Sequence, residues 1–89
     1  MITKEETILE TAKELVEERQ LILFNDDVNT FDHVIDCLIA ICGHELTQAE
    51  QCAYIVHYNG KCVVKSGSFD KLKPLLTALQ IQKLSVEIK

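Results

Sequence analysis

Residues 21–38, "LILFNDDVNTFDHVIDCL", decide how this chain folds. The four apolar residues 21–24 read as a short buried strand. Asn25, Asp26 and Asp27 end it, because such side chains hydrogen-bond nearby backbone and favour turns. Thr30 is placed to cap a helix, and Asp32 in the first turn suits the helix dipole. Phe31, Val34, Ile35, Leu38, Ile41 and Cys42 then recur on one helical face, which Gly43 can close in the left-handed conformation. A strand-turn-helix junction needs nothing more. Yet three hydrogen-bonding side chains gathered at a strand end could also form the rim of a site for a cation.

Working outward, "TQAE" (47–50) has the form of a capping box, Thr47 to Glu50, and starts a second helix. Ala49, Cys52, Ala53 and Val56 give that helix an apolar stripe, and Asn59-Gly60 in "HYNG" ends it in a turn. "KCVVK" (61–65) reads as a second strand. Ser68 can cap a third helix with Phe69, Leu72, Leu76 and Leu79 on one side. Pro74 implies that this helix begins near the proline or kinks there, since an interior proline removes a hydrogen bond and clashes one turn back. "KLSVEIK" (83–89) alternates as a half-buried strand does. The order β-α-α-β-α-β predicts an α+β sandwich, a small sheet on one side and helices on the other. Upstream, Ile8, Leu9, Ala12, Leu15 and Val16 fall at helical spacing, but helices of this length are marginal in isolation. Residues 1–20 are therefore read as an N-terminal extension, flexible or helical, and residues 21–89 as the core domain.

The 89 residues suit one small domain, and a hydrophobic fraction of 47% suits one modest core. The net charge of −5 divides into −3 over residues 1–20 and −2 over residues 21–89. Such a chain is a poor ligand for phosphate backbones, so no nucleic acid is expected, and a cationic or amine-bearing partner fits better. No stretch reaches the roughly 20 apolar residues of a membrane span. The start "MITKEETILE" has no basic-then-apolar leader, which points to the cytoplasm and to reduced cysteines.

The cysteines at 37, 42, 52 and 62 are spaced by 5, 10 and 10 residues, unlike paired zinc ligands, so no metal is expected. Cys37, Cys42 and Cys52 fall within helix patterns, where a free thiol behaves as a small buried hydrophobe. His33 and His44 lie at or beside helix ends and are read as solvated. His57 stands in the last turn of the second helix. No orienting group completes a Cys–His nucleophile, and no Gly-rich loop cradles a phosphate, so neither a catalytic residue nor a cofactor is expected.

The two stretches "LILFNDDVNTFDHVIDCL" and "VHYNGKCVV" together resemble the ClpS adaptor family, receptors that bring N-degron substrates to ATP-dependent Clp proteases. The resemblance rests on Asn25-Asp26-Asp27 after an apolar strand, and on His57-Tyr58-Asn59-Gly60-Lys61 ending the next helix. It covers residues 21–67 well and the last third loosely. It implies a three-stranded antiparallel sheet packed against three helices, the fold shared with the C-terminal domain of the ribosomal stalk protein. It further implies that Asn25, Asp26 and His57 hold a substrate's α-amino group, with Asp27 and Asn29 at the rim beside the peptide backbone. Phe31, Val34, Ala53 and Val56 would line a pocket for a first residue that is Leu, Phe, Tyr or Trp. An ammonium offers three donors, and an amide oxygen, a carboxylate and a neutral imidazole nitrogen are three acceptors. Asp70 matches an acidic position of the face that docks a Clp-family AAA+ unfoldase. The chain departs from the family at Asn29-Thr30, where Thr then Pro is common, at Phe31 and Ala53, where methionine is common, and at Leu75, where a basic residue is common. The implied protein is a monomeric, non-enzymatic adaptor. A ribosomal-stalk-type interaction domain without an amine pocket is the alternative, and Asn25, Asp26 and His57 together favour the adaptor.

Overall fold

The computed structural model of the chain describes residues 17–89, so most of the N-terminal extension lies outside the described residues. Strand β1 (Arg19–Phe24) leads through the Asn25–Thr30 turn into helix α1 (Phe31–Cys42). Helix α2 (Leu46–Asn59), strand β2 (Lys61–Gly67), helix α3 (Phe69–Ile81) and strand β3 (Ser85–Ile88) follow. This is the expected β-α-α-β-α-β order. The sheet runs β2-β1-β3, antiparallel throughout, with the apolar β1 in the centre. β1 begins two residues ahead of the apolar run, Arg19 and Gln20 pairing with Gly67 and Ser66 of β2.

One face of the sheet carries Leu21, Leu23, Val64 and Val86 into the core, where they meet Leu38 and Cys42 of α1 and Ala49, Cys52 and Val56 of α2. Leu72, Leu76 and Leu79 of α3 complete that core. Each helix contributes residues at three- and four-residue spacing, so burying one stripe fixes its rotation against the sheet. Phe69, expected on the same stripe of α3, is instead 49% exposed.

The register of β1 against β2 slips between Leu21, opposite Lys65, and Ile22, opposite Val63. Val64 is the extra residue of this bulge, and a bulge leaves its backbone without a ladder partner. Its carbonyl accepts instead from His44 Nε2 at 2.6 Å. His44 is only 5% exposed, which corrects the expectation that it is solvated: the bulge needs a buried donor, and His44 supplies it. That hydrogen bond assigns the proton to Nε2 and leaves a buried Nδ1 with no partner among the described residues. His33 is also tied down, its Nε2 lying 3.0 Å from the Gln82 carbonyl.

Local signals set most helix ends. Thr30 caps α1, its hydroxyl accepting from the His33 N–H, and Gly43 closes that helix at φ 70°. One expectation needs correction. The residue that caps α2 is Glu45, with no side-chain cap bond, so the Thr47–Glu50 box lies inside the helix. The buried His44 fixes the chain immediately before it, and the first turn forms there without a side-chain cap. Helix α3 starts at Phe69, capped by Ser68, and runs through Pro74 rather than beginning at it. The proline leaves one backbone bond unmade, while the apolar stripe buries Leu72 and Leu79 almost completely on either side of it.

The exit from α3 is a Schellman motif: Leu84 N–H donates to the Leu79 carbonyl at 3.1 Å, and Lys83 N–H to that of Gln80 at 2.9 Å. Its left-handed residue is Lys83, at φ 68°, where glycine is usual. Leu79 and Leu84, which flank the motif, are both buried.

Candidate functional site

The Asn25–Thr30 turn, the first turn and a half of α1 and the second half of α2 converge on one cavity of about 300 Å³. All nine side chains that the sequence reading brought to a pocket line it: Asn25, Asp26, Asp27, Asn29, Phe31, Val34, Ala53, Val56 and His57. Thr30 joins them, its hydroxyl already engaged as the α1 cap. Polar groups stand at the rim, where Asn25, Asp27 and His57 are exposed, and apolar ones lie below, with Ala53 and Val56 buried and Val34 half-buried. Asp70 lies apart from this cavity, exposed in the first turn of α3.

Asp26 organises the turn. Its Oδ1 accepts from the backbone N–H groups of Val28 at 2.9 Å and Asn29 at 2.8 Å, and its Oδ2 accepts from Asn29 Nδ2 at 2.8 Å. Partial burial pushes the carboxyl up, but the hydrogen bonds from Asn29 and Val28 and the nearby His33 outweigh it and hold Asp26 below the ordinary carboxylate range. The group is therefore ionised at neutral pH. A carboxylate has about four lone-pair positions; three are occupied, so Oδ2 keeps one for an incoming donor.

Asn29 fixes this geometry to the rest of the molecule. Its Nδ2 bridges Asp26 Oδ2 and, at 2.9 Å, the carbonyl of Lys83 in the Schellman turn after α3. Asn25 is pinned from the other side, its N–H donating to the Gly60 carbonyl at 2.9 Å. Gly60 itself closes α2 at φ 91°, a left-handed conformation that glycine adopts without penalty. The rim is thus bolted to the ends of two different helices.

The sequence reading missed the aromatic surround of the mouth. Phe31 lies 5.4 Å from Tyr54 and 5.1 Å from His57, ring centre to ring centre. Tyr58 packs edge-on against His57 at 4.9 Å and parallel to Tyr54 at 6.2 Å. Tyr54, His57 and Tyr58 fall at i, i+3 and i+4 of one helix, a spacing visible in the sequence. Phe31 is 39% exposed, so it works as a wall of the mouth more than as a core residue. Such an arrangement can hold an ammonium at the rim and an apolar side chain beneath it. Among the described residues no three His, Cys, Asp or Glu side chains gather as a metal ion would need, and no helix is long and apolar enough to cross a membrane.

Comparison with known proteins gives a consistent result. The family described as ATP-dependent Clp protease adaptor protein ClpS matches residues 14–87. ATP-dependent Clp protease adapter proteins ClpS from several strains of Campylobacter jejuni are 28% identical over 90 residues, spanning 97% of this chain and 94% of theirs. The structure of Agrobacterium tumefaciens ClpS2 bound to L-phenylalaninamide is similar with a TM-score of 0.75 at 19% identity, covering 81% of this chain and 94% of that one.

Proposed function

This chain belongs to the ClpS family of ATP-dependent Clp protease adaptors, and from that premise we propose that it binds the free N-terminus of N-degron substrates and hands them to a Clp-family AAA+ unfoldase. Asn25, Asp26 and His57 receive the α-ammonium group, Asp26 through its one remaining lone-pair position. Phe31, Val34, Ala53 and Val56 enclose a first side chain of the Leu, Phe, Tyr or Trp class. Asp27 and Asn29 flank the start of the peptide backbone. The protein performs no chemistry itself. The core domain captures the substrate, Asp70 contributes to the unfoldase contact, and the N-terminal extension takes part in delivery.

The observation that carries this reading is the stacking of charge over apolar surface in one cavity of about 300 Å³: an ionised, fully oriented carboxylate and an imidazole above an apolar floor. That volume suits one large side chain better than a whole drug-sized ligand. The related Agrobacterium protein is bound to L-phenylalaninamide, which pairs a free α-amine with an aromatic side chain and so matches this division of the site.

Burying one Leu or Phe side chain contributes roughly 1.5–3 kcal/mol. Each charge-assisted hydrogen bond to the amine adds about 1.5–3 kcal/mol before the costs of association. Micromolar binding, about −8 kcal/mol, is the expected scale. Fluorescence-anisotropy titration with Leu- and Phe-starting peptides, free and N-acetylated, tests it. Acetylation removes charge and donors and should weaken binding by tenfold or more. Equal affinity for both forms would sink the proposal.

A further inference from the structure

Among four free cysteines, Cys52 and Cys62 stand out, because their sulfurs lie 3.1 Å apart. Cys52 is buried on α2, Cys62 is half-buried on β2, and the helix packs directly on the strand. A disulfide requires about 2.05 Å between sulfurs, so a shift of about one ångström in two side chains closes the gap. Cys37 and Cys42 have no such partner: Cys37 contacts the His33 ring, and Cys42 lies in the core.

We infer that Cys52 and Cys62 are a reversible dithiol–disulfide pair, closed by hydrogen peroxide and opened by thiols, which ties the helix forming one pocket wall to the neighbouring strand. Cys62, the more exposed member, meets the oxidant first. Its thiolate attacks one peroxide oxygen and breaks the O–O bond, giving a sulfenic acid and hydroxide, which takes up the proton that the Cys62 thiol released and leaves as water. The Cys52 sulfur then displaces the sulfenic oxygen, its own proton departing with that oxygen as a second water. Two thiols lose two electrons and two protons, and the peroxide is reduced to two waters. Burial and the neighbouring Cys62 push the Cys52 thiol up to about 12. Cys52 thus stays protonated at rest and acts as the resolving thiol, not the attacking one. In a thiol-reducing environment the bond reopens by exchange, which makes the pair a switch and not a permanent staple.

The position of the ring gives the bond its consequence. Closing residues 52–62 encircles Ala53, Val56 and His57, and also Gly60, whose carbonyl anchors Asn25. The cross-link therefore restrains one wall of the cavity and the turn on which the opposite rim hangs.

The test uses the full chain, fully reduced, freed of reductant and treated with a small excess of hydrogen peroxide. Intact mass, alkylation of the remaining thiols and peptide mapping are then followed. The expected result is a loss of two hydrogens, two of the four thiols protected, a Cys52–Cys62 peptide in the map, and reversal by dithiothreitol. Thermal unfolding should rise by about 10 °C on closure of so short a ring. Cys62→Ser, a half-exposed position, should form no internal cross-link. Four free thiols after treatment, links between chains, pairing through Cys37 or Cys42, or oxidation of Cys62 to sulfinic acid without a cross-link would each overturn the inference.

Discussion

The two ends of α2 each present a histidine, and the two could hardly be used more differently. His44, just ahead of the helix, is 5% exposed and gives its Nε2 proton to the Val64 carbonyl that the sheet bulge leaves free. His57, in the last turn, is exposed at the cavity rim, packed between the rings of Phe31 and Tyr58. One histidine completes the fold and the other lines the mouth of the cavity. Residue type and helix position do not separate them. What separates them is whether an unmet backbone acceptor lies within reach.

The sharpest way to break this comparison is to remove each ring. His44→Ala strips the bulge of its donor and opens a cavity, so unfolding stability should fall by about 2–4 kcal/mol in equilibrium denaturation. His57→Ala should change stability by no more than about 0.5 kcal/mol while lowering affinity for free Leu-starting peptides tenfold or more. If both substitutions destabilise alike, or if His44→Ala binds as poorly as His57→Ala at temperatures where it is folded, the division of labour is wrong.

How much of this was legible in the sequence follows the same line between local and distant causes. The α1 caps, Thr30 and Gly43, and the Gly60 turn act within a few residues, and reading along the chain finds them. The cavity lining was legible because two short motifs, each beside a strand end, carry nearly all of it. The register slip at Val64 was not, since "KCVVK" has no glycine or other mark of a bulge, and so His44 looked like a surface residue. The Asn29–Lys83 bridge joins residues 54 apart, which no local pattern reports. Tyr54 and Tyr58 were legible as a helical pair but carried no signal of their place at a cavity mouth.

A smaller effect sharpens the contrast between the bolted rim and the open floor. Asn29→Ala removes both bonds of the Asn29 amide and should cost about 1–2 kcal/mol. It should also act on pH dependence. The folded state holds Asp26 below the ordinary value of 3.8. Its stabilising contribution is therefore complete above that value and is lost as pH falls through the lowered one. Asn29→Ala removes one of the bonds that hold Asp26 down, so the acid loss should be smaller than in the parent and should level off at a higher pH. Denaturation midpoints measured from pH 2 to pH 7 would show this. Identical acid limbs would mean that Asn29 does not tune Asp26.

The smallest effect concerns the far anchor of the same bridge. Lys83 is held at φ 68° by the Schellman turn, a left-handed conformation that costs an ordinary side chain about 1–2 kcal/mol. Glycine would remove that strain, but its freer unfolded chain takes back about 0.4–1 kcal/mol. Lys83→Gly should therefore stabilise the protein by about 0.5 kcal/mol, a rise of a few degrees in melting temperature for a domain of this size. The group that Asn29 uses is the Lys83 carbonyl, not its side chain. Peptide affinity should then stay at the parent value, and the gain should vanish in an Asn29→Ala background only if the bridge is what holds the turn left-handed. The Schellman bonds to Leu79 and Gln80 suffice for that, so the gain should persist there. A double-mutant cycle would measure it, and a coupling beyond about 0.5 kcal/mol would show that rim and turn are one unit, with the strain at Lys83 serving to orient Asp26.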